Sequence, residues 1–179
     1  MRKWSAAAVL GLGVLAWSAG PALAAAADQP ATLGFKGLGA RLGLVDPEGA
    51  SSTAAFGVHI DAGEFVRHVH LSPLVEYWKV GVGGNDLSDF SLGTDVTVDF
   101  PLQNSRIVPY AGGGLGLNWV KLATSTQDIK DTKLGLAMLG GVRNDVMPNF
   151  SLFGEVRYNF VSDTNQLKIL GGFTYHFIY

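Results

Sequence analysis

The chain has 179 residues, with 13 basic and 15 acidic side chains, a formal charge of −2 and no cysteine. That length suits one domain. The weak negative charge offers no basic stripe for nucleic acid, and the missing thiols exclude disulfide scaffolds, thiolate zinc sites, cysteine nucleophiles and a lipid-modified N-terminal cysteine.

With 24 glycines and 16% charged residues, the chain is too rich in glycine for a helical domain and holds less charge than the ~25% usual in soluble ones. Residues 1–24 read as a secretory signal peptide. Arg2 and Lys3 form a positive start, Ala6 to Trp17 is a short apolar core, and Ala22-Leu23-Ala24 has the small-x-small form that signal peptidase cuts. The apolar run is shorter than the ~20 residues a spanning helix needs. Without Arg2 and Lys3 the exported chain carries 11 basic against 15 acidic residues. Residues 25–34 are expected to be a short periplasmic segment, and residues 35–179 the folded domain.

After Ala24 the pattern has a period of two, apolar alternating with small or polar, which is the mark of strands. Eight such segments follow in order: Phe35–Val45, Ala54–Ala62, Val69–Val80, Phe90–Leu102, Ile107–Leu122, Leu134–Arg143, Phe150–Val161 and Leu167–Tyr179. Tight connections are expected at Glu64–His68, Gln103–Arg106 and Asn144–Asn149. Longer, polar ones are expected at Asp46–Thr53, Gly81–Asp89, Ala123–Lys133 and Ser162–Gln166. An even number of antiparallel strands with short turns at one end is the plan of a transmembrane barrel.

The aromatic residues decide which face meets lipid. A soluble barrel of the lipocalin kind would turn its apolar face inward around a ligand. Here Phe56, Tyr77, Phe90, Trp119, Tyr158 and Phe160 fall at the long-loop end of the apolar face, and Phe100, Phe150, Phe177 and Tyr179 at the other. Two aromatic girdles belong to two membrane interfaces. Ten residues separate Phe90 from Phe100, about 33 Å of strand, which a tilt of about 40° turns into the ~25 Å of an outer-membrane apolar band.

These features, with the strand Pro109-Tyr110-Ala111-Gly112-Gly113-Gly114-Leu115-Gly116-Leu117-Asn118-Trp119 and the ending Phe173-Thr174-Tyr175-His176-Phe177-Ile178-Tyr179, resemble the small eight-stranded outer-membrane β-barrels of Gram-negative bacteria, the group that includes the OmpA membrane domain, OmpX and opacity-type proteins. The resemblance implies an all-β, eight-stranded antiparallel up-and-down barrel in the outer membrane, with both termini in the periplasm. It also implies that Phe173, Tyr175, Phe177 and Tyr179 form the signal read by the barrel-assembly machinery. The expected barrel takes up the sequence to Tyr179, so no peptidoglycan-anchoring role is carried over.

Alternation places Arg41, Arg143, Arg157 and Lys168 inside the barrel, with Asp61, Glu76, Asp95, Asp99 and Glu155. An eight-stranded barrel is just wide enough for side chains to fill. Near-balanced charge there predicts an interlocked ion-pair plug, because unpaired buried charges are costly, and the inward glycines make room for long side chains. The expected function is therefore structural or interactive, with a narrow diffusion channel as the alternative and a lipid A-modifying enzyme as the second.

An enzyme needs catalytic groups at the lipid or loop edge. Ser72 and Asp61 with His59 or His70 could be drawn as a triad, but on the lumen side, out of reach of an acyl chain. The lipid A deacylase run His-x-Ser-Asn is absent around Tyr158-Asn159. His68 and His70, even with Asp61 or Glu64, make a weak metal site. The glycines of Gly112–Gly116 continue a strand and are no phosphate loop. No cofactor is expected. The outer loops carry Asp46, Glu48, Asp86, Asp89, Asp128, Asp131 and Asp163 against Lys130 and Lys133, so contact with lipopolysaccharide is expected to need divalent cations. The expected partners are outer-membrane lipid and the assembly machinery, with the protein a monomer.

Overall fold

In a computed structural model, the described residues are 31–124, 127–162 and 164–177. Residues 1–30 (which include the expected signal peptide), Ser125, Thr126, Asp163 and the terminal Ile178 and Tyr179 lie outside them.

Nine strands form one sheet. They are β1 (Gly37–Pro47), β2 (Thr53–Asp61), the short β3 (Glu64–Val66), β4 (Val69–Val82), β5 (Asn85–Asp99), β6 (Ile107–Ala123), β7 (Asp128–Met147), β8 (Phe150–Val161) and β9 (Gln166–His176). All pairings are antiparallel between neighbours, β9 returns to β1, and β2 pairs with β4. The eight long strands thus close a barrel, and β3 is a small flap on the end of β4. Closure leaves no free ladder edge, which a bilayer without water to hydrogen-bond would penalise.

Pro73 shows how sequence and ladder agree. It lies mid-strand in β4, but the β2–β4 register runs only from Ala55–Trp78 to His59–Leu74. The missing N–H of Pro73 falls where no β2 partner needs it.

The ends of several strands differ from the sequence expectation. Gly81–Asp89 is no loop: β4 and β5 pair up to Val82–Asn85 across a two-residue turn. Gly83 and Gly84 in that turn have φ of 58° and 83°, the conformation of a type I′ hairpin turn, which glycine adopts without strain. Ala123–Lys133 is likewise mostly strand, paired up to Ala123–Asp128, so β7 exceeds the expected Leu134–Arg143 at both ends. Polar residues carried these strands out of the apolar band, where alternation fades as a signal because water covers both faces. At the other end β5 stops at Asp99 rather than Leu102, and the Phe100 N–H donates to the Pro109 carbonyl.

The outward face is apolar and open: Leu42, Leu44, Leu115, Leu134 and Ile169 are all exposed. The inward face holds the buried polar set and one apolar cluster of Val45, Ala55, Trp78, Val80 and Leu170 near the end carrying the β4–β5 and β6–β7 hairpins.

Candidate functional site: the barrel lumen and rims

Four charged groups interlock at mid-barrel. Arg157, from β8, bonds Asp95 of β5 through Nη2 and donates from Nε to Glu155 Oε1 at 3.1 Å. Arg41, from β1, has Nη1 3.6 Å from Glu155 Oε1 and 3.8 Å from Asp95 Oδ2. Tyr110 donates its hydroxyl to Glu155 Oε2 at 3.1 Å. All four charged side chains are buried. Close charges of both signs offset the desolvation that each would suffer alone.

Toward the hairpin end, Lys168 pairs with Glu76, and their side chains are 0% and 1% exposed. Above them Gln166 donates to Asp89 Oδ2 at 2.8 Å, and Trp78 Nε1 donates to Gln166 Oε1 at 3.3 Å. Asp89 is therefore not a loop acid: it faces inward from β5 and is 1% exposed. Its position follows from the longer β4–β5 hairpin, which brings residue 89 into the ladder opposite Trp78.

The opposite end is looser. Arg143 bonds Asp99, which also lies 3.2 Å from His70 Nε2, and Glu64 stands 3.6 Å beyond that ring. Asp61 sits 3.1 Å from His176 Nδ1 and accepts the Gly63 N–H at 2.9 Å. A cavity of about 70 Å³ opens among these groups, with Arg41, His59, Tyr110 and Phe153 also in its wall. Such a polar volume has room for several water molecules, each needing ~10–15 Å³. Among the described residues no cluster of His, Asp and Glu has metal-site geometry.

All nine lumen residues singled out by alternation thus lie on the inward face, Asp61 and Arg143 at the more open end. Sequence reasoning missed Trp78, Asp89, Gln166 and Tyr110. Inward parity with Glu76 is the signal that marks Trp78.

The triad drawn from Ser72, Asp61 and His59 or His70 is not assembled, since the His59 Nε2 meets Thr174 Oγ1 at 2.9 Å and His70 faces Asp99. Instead His176 bridges Asp61 and Ser151, its Nε2 2.9 Å from Ser151 Oγ. Ser151 donates to Asp145 Oδ1 at 2.7 Å, is 1% exposed and does not line the cavity. Ser151, His176 and Asp61 stand at the spacing of a nucleophile, its base and an orienting acid, but the hydroxyl is enclosed and donates to Asp145, so it has no access to a substrate. This chain of bonds instead ties the ends of β2, β7, β8 and β9 together.

The aromatic side chains fall in two groups. Phe56 packs on Tyr77, Phe90 on Trp119 and Tyr158 on Phe160 at the hairpin end. At the other end Phe35 and Tyr175 pack on Phe177, and Phe150 on Phe173. Phe100 is exposed at that same end.

This closed barrel, apolar outside and charged within, is of the outer-membrane class. Residues 66–177 match the model of the family described as "Opacity family porin protein", and the chain belongs to that family. It is an outer-membrane β-barrel protein of the cell envelope. The barrel is similar in structure to the Neisserial surface protein A, at 24% identity and a TM-score of 0.68, over 80% of this chain and 98% of that one. It is also similar to the N-terminal β-barrel domain of Pseudomonas aeruginosa OprF (10% identity, TM-score 0.57, 80% and 99% covered). A third similar structure is Ail, the attachment invasion locus protein of Yersinia pestis (15%, TM-score 0.50, 80% and 100% covered). No curated protein sequence matches the chain.

Proposed function

We propose that this protein is a plugged barrel whose role in the envelope is structural and interactive, presented to the outside by its short hairpins. One observation supports the reading: buried ion pairs join Arg41, Asp95, Glu155 and Arg157 from β1, β5 and β8, and beyond them Lys168–Glu76 and Trp78 are buried inside the barrel. The cavity of about 70 Å³ on one side of this filling and a smaller one of about 30 Å³ beside Asn118 and Arg157 are far too small to be a pore. No catalytic step enters this reading.

In the same reading, residues 1–24 direct export and are removed, and the hairpin end faces outward. The two aromatic groups sit at the two membrane interfaces. The alternating Phe173, Tyr175 and Phe177, with Tyr179 beyond the described residues, mark the last strand for assembly.

The test is planar-bilayer conductance of the refolded protein, with folding verified by heat-dependent gel mobility. The expected result is a silent bilayer, and stable ion-selective steps would overturn the plug in favour of a narrow channel. Orientation is read separately by labelling Gln127→Cys on intact cells with an impermeant maleimide. The chain has no cysteine of its own, so labelling reports that hairpin alone, and protection from the reagent would refute the outward placement.

A further inference from the structure

The outward face of β4 to β7 is layered in rows that only the register reveals. Phe56, Tyr77, Phe90, Trp119 and Thr132 face one another across five adjacent strands. Two residues further from the barrel centre, the partners are Lys79, Ser88, Lys121 and Lys130. Two residues further still come Gly81, Asp86, Ala123 and Asp128. The order along the barrel axis is aromatic, basic, acidic.

Each part of this layering has a physical reading. The aromatic row lies where amphipathic rings settle, at the boundary between acyl chains and headgroups. The lysine row is about 7 Å further out along the strands, the depth of the lipid headgroups. Lys121 and Lys130 are direct cross-strand partners, about 5 Å apart, an arrangement that is destabilising for like charges unless an anion lies between them. Lys79 stands about 10 Å from Lys121, two strand spacings away.

The acidic row does not satisfy this charge. Asp86 reaches Lys79 at 2.8 Å and Asp128 reaches Lys121 at 2.7 Å, but these pairs are half-exposed, and such pairs contribute little and exchange partners at small cost. Among the described residues Lys130 forms no ion pair.

We propose that Lys79, Ser88, Lys121 and Lys130 form a binding site for the phosphate groups of an outer-leaflet glycolipid of the lipid A type, held flat against the aromatic row. Lysines supply mobile ammonium donors from flexible stems, and the span from Lys79 to Lys130 accommodates two phosphates on one disaccharide headgroup. In this proposal contact with such a lipid runs through the lysines, where the acidic loops alone would call for divalent cations. The acids lie above the headgroup level and the lysines lie at it. The proposal rests on the outward placement of the hairpin end, which the Gln127→Cys labelling tests independently.

The experiment is native mass spectrometry of the refolded protein released from micelles doped with bisphosphorylated lipid A, against the same lipid without phosphates. The unmodified protein is expected to retain the phosphorylated lipid selectively. Lys121→Gln with Lys130→Gln is expected to weaken retention about 25-fold, at roughly fivefold per lysine, and to leave retention of the dephosphorylated lipid unchanged. Lys130→Gln alone, which breaks no ion pair, guards against a folding defect and is expected to weaken retention about fivefold. Arg106→Gln, at the far rim, is expected to change nothing. Equal retention by the lysine variants, equal loss toward both lipids, or an equal effect of Arg106→Gln would each overturn the site.

Discussion

The two halves of the lumen are built from the same residue types to different standards. In the half toward the β4–β5 and β6–β7 hairpins, Lys168 and Glu76 are completely enclosed, and Trp78, Val45, Ala55, Val80 and Leu170 form a buried apolar cluster. In the other half, Arg143 and His176 keep 22% and 30% of their side-chain surface exposed around a polar cavity. The difference teaches that a balanced count of charges does not define a plug. Enclosure does, because a pair shielded from water on every side has no alternative partner, whereas a wetted pair always has one.

Deleting one cation from each half is expected to have very different consequences. Lys168→Ala strands Glu76 without its partner in a dry site and is expected to cost about 3–5 kcal/mol. Arg143→Ala leaves Asp99 with His70 and water, and the expected loss is about 1–2 kcal/mol. Urea unfolding in micelles measures both, and equal midpoint shifts would erase the distinction between the halves.

A second, smaller test asks how tightly the interior is filled where the halves meet. A Cβ on Gly114 would stand 2.3 Å from Asp95 Oδ1, while one on Gly154 would meet nothing within 4 Å. Gly114→Ala is therefore expected to push Asp95 off Arg157 and cost about 1–3 kcal/mol, as overpacking does. Gly154→Ala is expected to be neutral or to stabilise by up to about 1 kcal/mol, through the reduced freedom of the unfolded chain. The same urea series decides it: similar losses in both would mean that glycine serves the strands generally and not the lumen charges.

Much of this was legible in the sequence. The alternation that set Arg41, Asp95, Glu155 and Arg157 on one side and Leu42, Val96, Val156 and Tyr158 on the other survives intact, since one residue of slip would turn every side chain over. What could not be read is which cation meets which acid. Lys168 reaches Glu76 across 92 positions of chain and Arg157 reaches Asp95 across 62, between strands that are not neighbours in the sheet. Those meetings depend on barrel stagger, which alternation does not encode. Asp89 was hidden for a different reason. The Gly-Val-Gly-Gly-Asn-Asp run before it is the composition of a loop, and it became strand because a two-glycine turn lets both arms pair to the tip. The lysine row needed the same information, because Lys79 belongs to another hairpin and Lys121 and Lys130 face each other only through the register of the β6–β7 ladder.

The smallest expected effect belongs outside the lumen, on the exposed ladder of the β6–β7 hairpin. The hydrogen bond from Lys121 to Asp128, helped by the charges of Lys121 and Lys130 and opposed by slight desolvation, holds the Asp128 carboxyl below the ordinary aspartate value of 3.8. A carboxyl with a lowered folded-state pKa favours folding above its unfolded value, and that contribution fades as pH falls through the folded value. The window is therefore acidic, below pH 3.8, and at neutral pH the contribution is constant. Solvent surrounds the pair, so the urea midpoint is expected not to respond to it, in contrast to Lys168–Glu76. A carboxyl-resolved NMR titration is the measurement that sees it: Asp128 is expected to titrate below 3.8 in the unmodified protein and to move upward in Lys121→Gln. A midpoint that stays in place in that variant would mean that Lys121 does not hold Asp128 in the membrane-bound protein, leaving both lysines of the cross-strand pair open to an anion from the lipid.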